Sequence, residues 1–82
     1  MTITLYTKLG CSPCRIVARK FTEAGVEFTT VDLSQNPAAV EYVTEELGYA
    51  QAPIVVVDDQ THFSGPDADK IAETIARFKE SK

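Results

Sequence analysis

Potential metal ligands are scarce in this chain of 82 residues, which has two cysteines and one histidine. A structural zinc site usually takes four Cys or His ligands, so a zinc ribbon is excluded unless two chains share the metal. The two cysteines, Cys11 and Cys14, form a Cys-x-x-Cys motif. A structural disulfide between them would close a very small loop and stabilise the fold little. We therefore interpret the pair as redox-active and expect no metal.

The chain also has few positive charges and no long apolar run. Eight Lys and Arg stand against 12 Asp and Glu, which gives a net charge of -4 and argues against nucleic acid as the main partner. The apolar run at residues 54–57 is far too short to span a membrane. No cationic segment followed by an apolar stretch opens the chain, so we expect a cytoplasmic protein without membrane contact.

The composition is typical of one small globular domain that occupies residues 1–82. Hydrophobic residues make up 44% of the chain and charged residues 24%, with four Gly and four Pro. A disordered chain would have fewer apolar residues. No repeat, linker or low-complexity segment divides the sequence, so we expect a single domain.

Hydrophobic periodicity predicts an α/β fold with the element order β-α-β-α-β-β-α. The first helix connects two strands that must be parallel if the crossover is right-handed. This order, with Cys-x-x-Cys opening the first helix, is the minimal thioredoxin fold, a central four-stranded mixed sheet with three helices. The predicted strands cover residues 2–7, 26–33, 54–57 and 61–64. The first predicted helix covers residues 12–24. The second begins within residues 34–37 and ends at Gly48, and the third begins at Asp67 or Ala68.

Each predicted helix has an apolar stripe that we expect to face inward. The stripes are Ile16, Val17, Phe21 and Ala24 in the first helix, Val40, Val43 and Leu47 in the second, and Ile71, Ile75 and Phe78 in the third.

The predicted helix start places the two cysteines differently. Cys11 lies just before the helix, where free N–H groups and the helix dipole favour negative charge, and Cys14 lies one turn inside. Lys8 and Arg15 add positive charge nearby, although Lys8 has the alternative of being a solvated turn residue. We therefore predict that the pKa of the Cys11 thiol is lower than that of an ordinary thiol. Cys11 is the expected nucleophile and Cys14 the resolving cysteine.

The two residues between the cysteines are expected to support this pair. Pro13 fits the first helical turn, where its missing N–H costs nothing, and it leaves one fewer donor for the thiolate. Ser12 has two possible roles, a hydrogen bond to a sulfur or the helix cap, and we expect the cap.

Several stretches together resemble the NrdH-redoxins, a glutaredoxin-like family of the thioredoxin-fold superfamily. They are the Cys-x-x-Cys motif after the first strand, Leu-Gly-Tyr at 47–49, Gln-Ala-Pro-Ile-Val-Val-Val at 51–57 and Phe-Ser-Gly at 63–65. The resemblance implies a dithiol–disulfide oxidoreductase that donates electrons to ribonucleotide reductase for deoxyribonucleotide synthesis and is reduced by thioredoxin reductase. It implies no cofactor beyond the redox-active disulfide, and we expect a monomer.

The same resemblance implies a cis peptide bond between Ala52 and Pro53, facing the cysteines. The backbone of Ala52 would then be available for antiparallel pairing with a substrate peptide. The alternative is a proline that merely begins a strand. The residues expected to contact partners are Tyr49, Gln51, Ala52, Pro53, Phe63, Ser64 and Gly65, with the core as the alternative for Tyr49 and Phe63. We expect His62 to be a surface residue and Glu41, Glu45 and Glu46 to form a solvated helix face.

Two other functions compete with this interpretation. One is a thioredoxin-fold redox sensor or a module that shares an iron–sulfur cluster across a dimer, against which the complete Cys-x-x-Cys argues. The other is a glutathione-dependent glutaredoxin. Lys8 and Ala52-Pro53 match two parts of a glutaredoxin's glutathione site. Glu45 and Glu46 stand where that site has a basic residue, and Pro66 removes an N–H from the turn that grips the γ-glutamyl end. We therefore expect poor activity with glutathione.

Overall fold

The computed structural model describes residues 3–58 and 61–80. The predicted order of elements is confirmed, although Thr2 of the first predicted strand and part of the predicted turn at 58–60 lie outside the described residues. The strands are β1 (Ile3–Thr7), β2 (Phe28–Asp32), β3 (Ile54–Val56) and β4 (His62–Ser64). The helices are α1 (Ser12–Glu23), α2 (Pro37–Glu41) and α3 (Ala68–Glu80), with a short 3-10 turn (Leu33–Gln35) before α2 and a π-helical turn (Tyr42–Glu46) after it.

The four strands form one mixed sheet in the order β2-β1-β3-β4. Strand β1 is parallel to β2, as the crossover helix α1 requires, and β3 is antiparallel to both β1 and β4. Leu5 at the centre of β1 pairs with Thr30 on one side and Val55 on the other. This is the minimal thioredoxin fold.

The main core lies between the sheet and the helices α1 and α3. Leu5 belongs to it, whereas the next residue, Tyr6, contacts Tyr42 with 6.2 Å between ring centroids. Because successive side chains of a strand point to opposite faces, the segment after α2 covers the other face of the sheet. The core residues are Ile3, Leu5, Val17, Phe21, Val26, Val55, Val57, Phe63, Ile71 and Phe78.

Two residues of the predicted apolar stripes are on the surface instead. Ile16 is 48% exposed and Val40 is 39% exposed. In α1 the buried face is made by Cys14, Val17 and Phe21, one position round the helix from Ile16. The prediction was wrong at Ile16 and Val40 because the sequence pattern gives only the helical spacing of apolar residues. An apolar residue next to the buried face has nearly the same spacing as one on that face.

The second strand is shorter than predicted at both ends. Val26 completes the end of α1, where its N–H donates to the carbonyl of Phe21 at 2.9 Å. Leu33 begins the 3-10 turn, which Asp32 caps by accepting the N–H of Ser34 at 2.9 Å. Both ends of this apolar run are therefore used for turns. Across residues 3–58 and 61–80, no helix has the length and apolar character needed to cross a membrane.

Candidate redox site

The two cysteines lie at the start of α1 and form a disulfide, with 5.3 Å between their Cα atoms. Cys11 is the residue that caps the helix, and its N–H donates to the carbonyl of Lys8 at 3.1 Å. Cys14 is in the first helical turn and is only 4% exposed, whereas Cys11 is half-buried. The predicted outer and inner placement of the two sulfurs is confirmed.

The cap of α1 is the sulfur of Cys11 itself. The backbone N–H of Cys14 donates to Cys11 Sγ at 3.2 Å. Ser12 is the first residue of the helix and is exposed, so the prediction that Ser12 caps α1 was wrong. A cap accepts from the N–H three residues later, and the chain enters the helix at Ser12, so only Cys11 has the right position. The N–H of Cys14 and the helix dipole therefore favour negative charge on this sulfur once the disulfide is reduced.

Cys11 borders an open cavity of about 490 Å³ that separates the loop before α1 from the segment before β3. Leu9 on the near rim is 83% exposed. The cavity lining includes Val43 from the π-helical turn. Such π-helical turns often occur at functional sites. Among the predicted site residues, the cavity brings together Lys8, Cys11, Tyr49, Gln51 and Ala52.

The Ala52–Pro53 peptide bond is cis, as the resemblance implied. Pro53 is buried, and its carbonyl accepts the N–H of Gly65 at 2.8 Å. This bond ties the end of β4 to the chain that enters β3. Ser64 and Gly65 do not line the cavity with Cys11. Phe63 is 7% exposed and belongs to the main core, so the core alternative applies to this residue.

Tyr49 and His62 form a contact that sequence reasoning missed. The Tyr49 hydroxyl lies 2.6 Å from His62 Nδ1 and donates to the His62 carbonyl oxygen at 3.1 Å. The two rings meet edge-on with 5.4 Å between centroids. Burial raises the pKa of the Tyr49 phenol above its ordinary value, which keeps the hydroxyl proton in place. His62 is thus half-buried rather than a plain surface residue, and it holds one wall of the cavity.

The comparison with known proteins identifies the family. Residues 3–63 match the Glutaredoxin family model. The chain belongs to the glutaredoxin family. It is 38% identical over 80 residues to the Gene 56 protein of Mycobacterium phage L5, covering 98% of this chain and 78% of that protein. It is 31% identical over 71 residues to the glutaredoxin-like protein NrdH of Lactococcus lactis, covering 87% of this chain and 96% of that protein.

A solved structure agrees with this placement. The Escherichia coli glutaredoxin-like protein NrdH-redoxin, described as having a thioredoxin-like activity profile, superimposes with a TM-score of 0.83. The two chains are 30% identical, and the match covers 89% of this chain and 93% of that one. The protein is therefore a glutaredoxin-like member of the NrdH group. With its paired Cys11 and Cys14 it is a thiol–disulfide oxidoreductase.

Two groups of the turn that would hold the γ-glutamyl end of glutathione are bonded within the fold. The N–H of Gly65 donates to Pro53, and Pro66 has no N–H. The carboxylate of Asp67 accepts the N–H groups of Asp69 at 3.0 Å and Lys70 at 3.3 Å, at the start of α3. The Gly65 N–H is therefore used within the fold, and Asp67 Oδ1 caps the start of α3.

The glutamates of the second helical segment lie away from the disulfide. Glu41, Glu45 and Glu46 are exposed, which confirms the expected solvated face. They line a depression of their own with Ala38 and Tyr42, and none of them borders the cavity that contains Cys11. Repulsion of glutathione by Glu45 and Glu46 is accordingly weaker than the sequence indicated, because charges that are exposed and outside the cavity are screened by salt.

Metal binding finds no support in the described residues. Residues 3–58 and 61–80 contain no group of three or more His, Cys, Asp or Glu side chains placed to hold an ion. The site that these residues build is the Cys11–Cys14 pair and the cavity beside it.

Proposed function

We propose that this protein is a cytoplasmic electron donor to ribonucleotide reductase and is itself reduced by thioredoxin reductase. The resemblance to the NrdH-redoxins supports these partners, as does the thioredoxin-like activity profile named for the Escherichia coli relative. The observation that carries the proposal is the turn at residues 64–67. Its Gly65 N–H and its Asp67 carboxylate are bonded within the fold, and Pro66 offers no N–H. These features favour an electron donor other than glutathione.

The chemistry follows from the outer and inner sulfurs. In the reduced protein, the Cys11 thiolate attacks one sulfur of a substrate disulfide and forms a mixed disulfide, and the second substrate sulfur leaves as a thiolate and takes up a proton. The Cys14 thiolate then attacks the Cys11 sulfur, which breaks the mixed disulfide and releases the other substrate thiol. Two electrons and two protons pass from the protein dithiol to the substrate. The protein is left with the Cys11–Cys14 disulfide described here.

Groups around Cys11 assist the first attack. The N–H of Cys14 and the N-terminus of α1 favour the thiolate, and we assign Lys8 and Arg15 a supporting electrostatic role. The opposite wall of the cavity presents Gln51 and Ala52, whose backbone we assign to antiparallel pairing with the substrate peptide. Tyr49 completes this wall, held by His62.

The competing function is that of a glutaredoxin that is reduced by glutathione. A charge-assisted hydrogen bond contributes about 1.5–3 kcal/mol. Each ~1.4 kcal/mol corresponds to a tenfold change in affinity. The N–H that Pro66 lacks therefore costs glutathione about tenfold or more in affinity, and capture of the Gly65 N–H by Pro53 adds a further loss.

The test compares two electron supplies for one disulfide substrate. One assay contains NADPH and thioredoxin reductase, and the other contains NADPH, glutathione and glutathione reductase. We expect turnover in the first and little in the second. Saturable reduction by low-millimolar glutathione, with no response to thioredoxin reductase, would establish the glutaredoxin alternative. The absence of turnover in both, with visible absorbance from the purified protein, would instead support a cluster-binding module.

A further inference from the structure

Positive charge is distributed unevenly along the chain. The first 22 residues contain four of the eight Lys and Arg and no Asp or Glu, although the whole chain has a net charge of -4. One of the four, Lys8, precedes the redox motif, and Arg15, Arg19 and Lys20 follow it in α1. The segment that contains the reactive cysteines is therefore cationic, whereas the rest of the chain is acidic.

Three of these cations surround an exposed apolar side chain on α1. Arg15, Arg19 and Lys20 are exposed, and Ile16 among them is 48% exposed. Together with Glu23 they line a shallow depression of about 450 Å³. In the described part of the chain, no carboxylate lies within salt-bridge distance of these three cations. We call Arg15, Ile16, Arg19 and Lys20 the α1 basic face.

The α1 basic face begins at the disulfide. Arg15 also lines a second depression, which contains Cys11, Cys14 and the 83% exposed Leu9. A polypeptide that brings a disulfide to the Cys11 sulfur would meet Leu9 and Arg15, because both line this depression with Cys11. The face is thus placed to contact the sequence that flanks the substrate disulfide.

We propose that the α1 basic face docks an acidic segment that flanks the redox disulfide of a partner protein. This inference rests on the proposed function, because it requires a protein as the substrate. Asp and Glu side chains of the partner pair with Arg15, Arg19 and Lys20, while an apolar residue among them covers Ile16. Clustered cations accelerate the encounter with an acidic partner and disfavour a basic one. Every Asp and Glu of the chain lies after residue 22, so a nucleic-acid strand would be repelled by the remaining surface.

The test uses disulfide peptides that differ only in the residues flanking the disulfide, which are Glu-rich, Ser-rich or Lys-rich. Single-turnover reduction is measured with chemically pre-reduced protein, so the result does not depend on the identity of the electron donor. We expect the Glu-rich peptide to react about five- to tenfold faster than the Lys-rich one at about 0.02 M salt. This preference should shrink strongly at about 0.5 M salt, where the Debye length is only a few ångströms.

Two matched charge reversals locate the preference. Arg19→Glu changes the α1 basic face, and Lys79→Glu makes the same change of charge on the exposed last turn of α3. We expect Arg19→Glu to reduce the Glu-over-Lys ratio at least threefold and Lys79→Glu to change it less than twofold, because a distant exposed charge is screened. The ratio is informative even if a variant loses activity overall.

Three results would overturn the inference. The first is that the parent protein reduces all three peptides at equal rates. The second is that Arg19→Glu and Lys79→Glu change the Glu-over-Lys ratio equally. The third is that, at about 0.15 M salt, a single-stranded oligonucleotide inhibits the reaction and a reduced Glu-rich peptide does not. Peptide reduction with the expected ranking, but no turnover with thioredoxin reductase, would contradict the proposed electron donor and leave the α1 basic face supported.

Discussion

Gly65 offers a direct test of how the fold positions the wall opposite Cys11. Its φ is +87°, a left-handed backbone conformation, and a Cβ added there would meet no atom within 4 Å. In Gly65→Ala the cost is therefore backbone strain without a clash, about 1–2 kcal/mol. A change of ~1 kcal/mol moves the Tm of a domain of this size by roughly 4–8 °C, so we expect a loss of roughly 4–16 °C.

The effect on activity should exceed the effect on stability. Relief of the strain rotates the backbone at residue 65 and weakens the 2.8 Å bond from its N–H to the Pro53 carbonyl. Pro53 follows Gln51 and Ala52, which line the cavity with Cys11. A displacement of about 1 Å in a substrate-positioning group can cost 10²-fold, so we expect kcat/KM for a protein disulfide to fall by about 10- to 100-fold.

Gly25 supplies the matched control. Its φ is +74°, a Cβ there would also meet nothing within 4 Å, and it lies after the end of α1 opposite to the cysteines. Gly25→Ala should lose a similar Tm and keep the parental kcat/KM at a temperature where both variants are folded. Thermal melts followed by circular dichroism and steady-state reduction of a disulfide substrate supply the two numbers. Equal stability losses with equal, unchanged activities would show that the Gly65–Pro53 bond does not position the cavity wall.

The remaining predictions concern the cysteines, the phenol and the last helix. Cys11→Ser should abolish disulfide reduction and Cys14→Ser should accumulate a mixed disulfide, visible by mass spectrometry; parental turnover of Cys14→Ser would contradict the dithiol mechanism. Burial raises the pKa of Tyr49 above 10.0, so its contribution to stability is complete below that pH and is lost as the pH rises through the folded value. Tyr49→Phe should therefore weaken the alkaline fall in urea stability; an unchanged fall would exclude this phenol as its source. Asp67→Ala removes the acceptor for two N–H groups at the start of α3 and should cost about 1 kcal/mol, whereas Asp67→Asn should restore most of it.

Much of the fold follows from local patterns in the sequence. The helix starts at Ser12 and Pro37, the Gly25 and Gly48 helix ends and the apolar strand from Ile54 are signalled by neighbouring residues, and each is found where predicted. The position of the cysteines follows from the start of α1 in the same way. These features are local because caps, turns and periodicity depend on residues within one or two helical turns.

The details that the sequence did not reveal depend on tertiary contacts. Tyr49 and His62 are 13 residues apart, and they meet because β4 lies at the sheet edge, beyond β3. No local signal marks such a pair. The exposure of Ile16 likewise depends on which face of α1 packs against α3 and the sheet. The cap at Cys11 was missed for a different reason, since serine is the commoner capping residue and the sulfur takes its place here only by position.

The corner formed by β3, β4 and α3 shows how stability and specificity depend on the same atoms. The Gly65 N–H holds the chain before β3, and the Asp67 carboxylate starts α3. A carboxylate of glutathione could take the Gly65 N–H only if its bond to Pro53 were given up, at a cost of about 1 kcal/mol. Under the proposed function, the Cys11–Cys14 chemistry is retained, and glutathione binds weakly because neither Pro66 nor the Gly65 N–H is free to donate to its carboxylate. Selection of partners then falls to the exposed surfaces around Cys11, which are Leu9, the cavity wall at Gln51 and Ala52, and the α1 basic face.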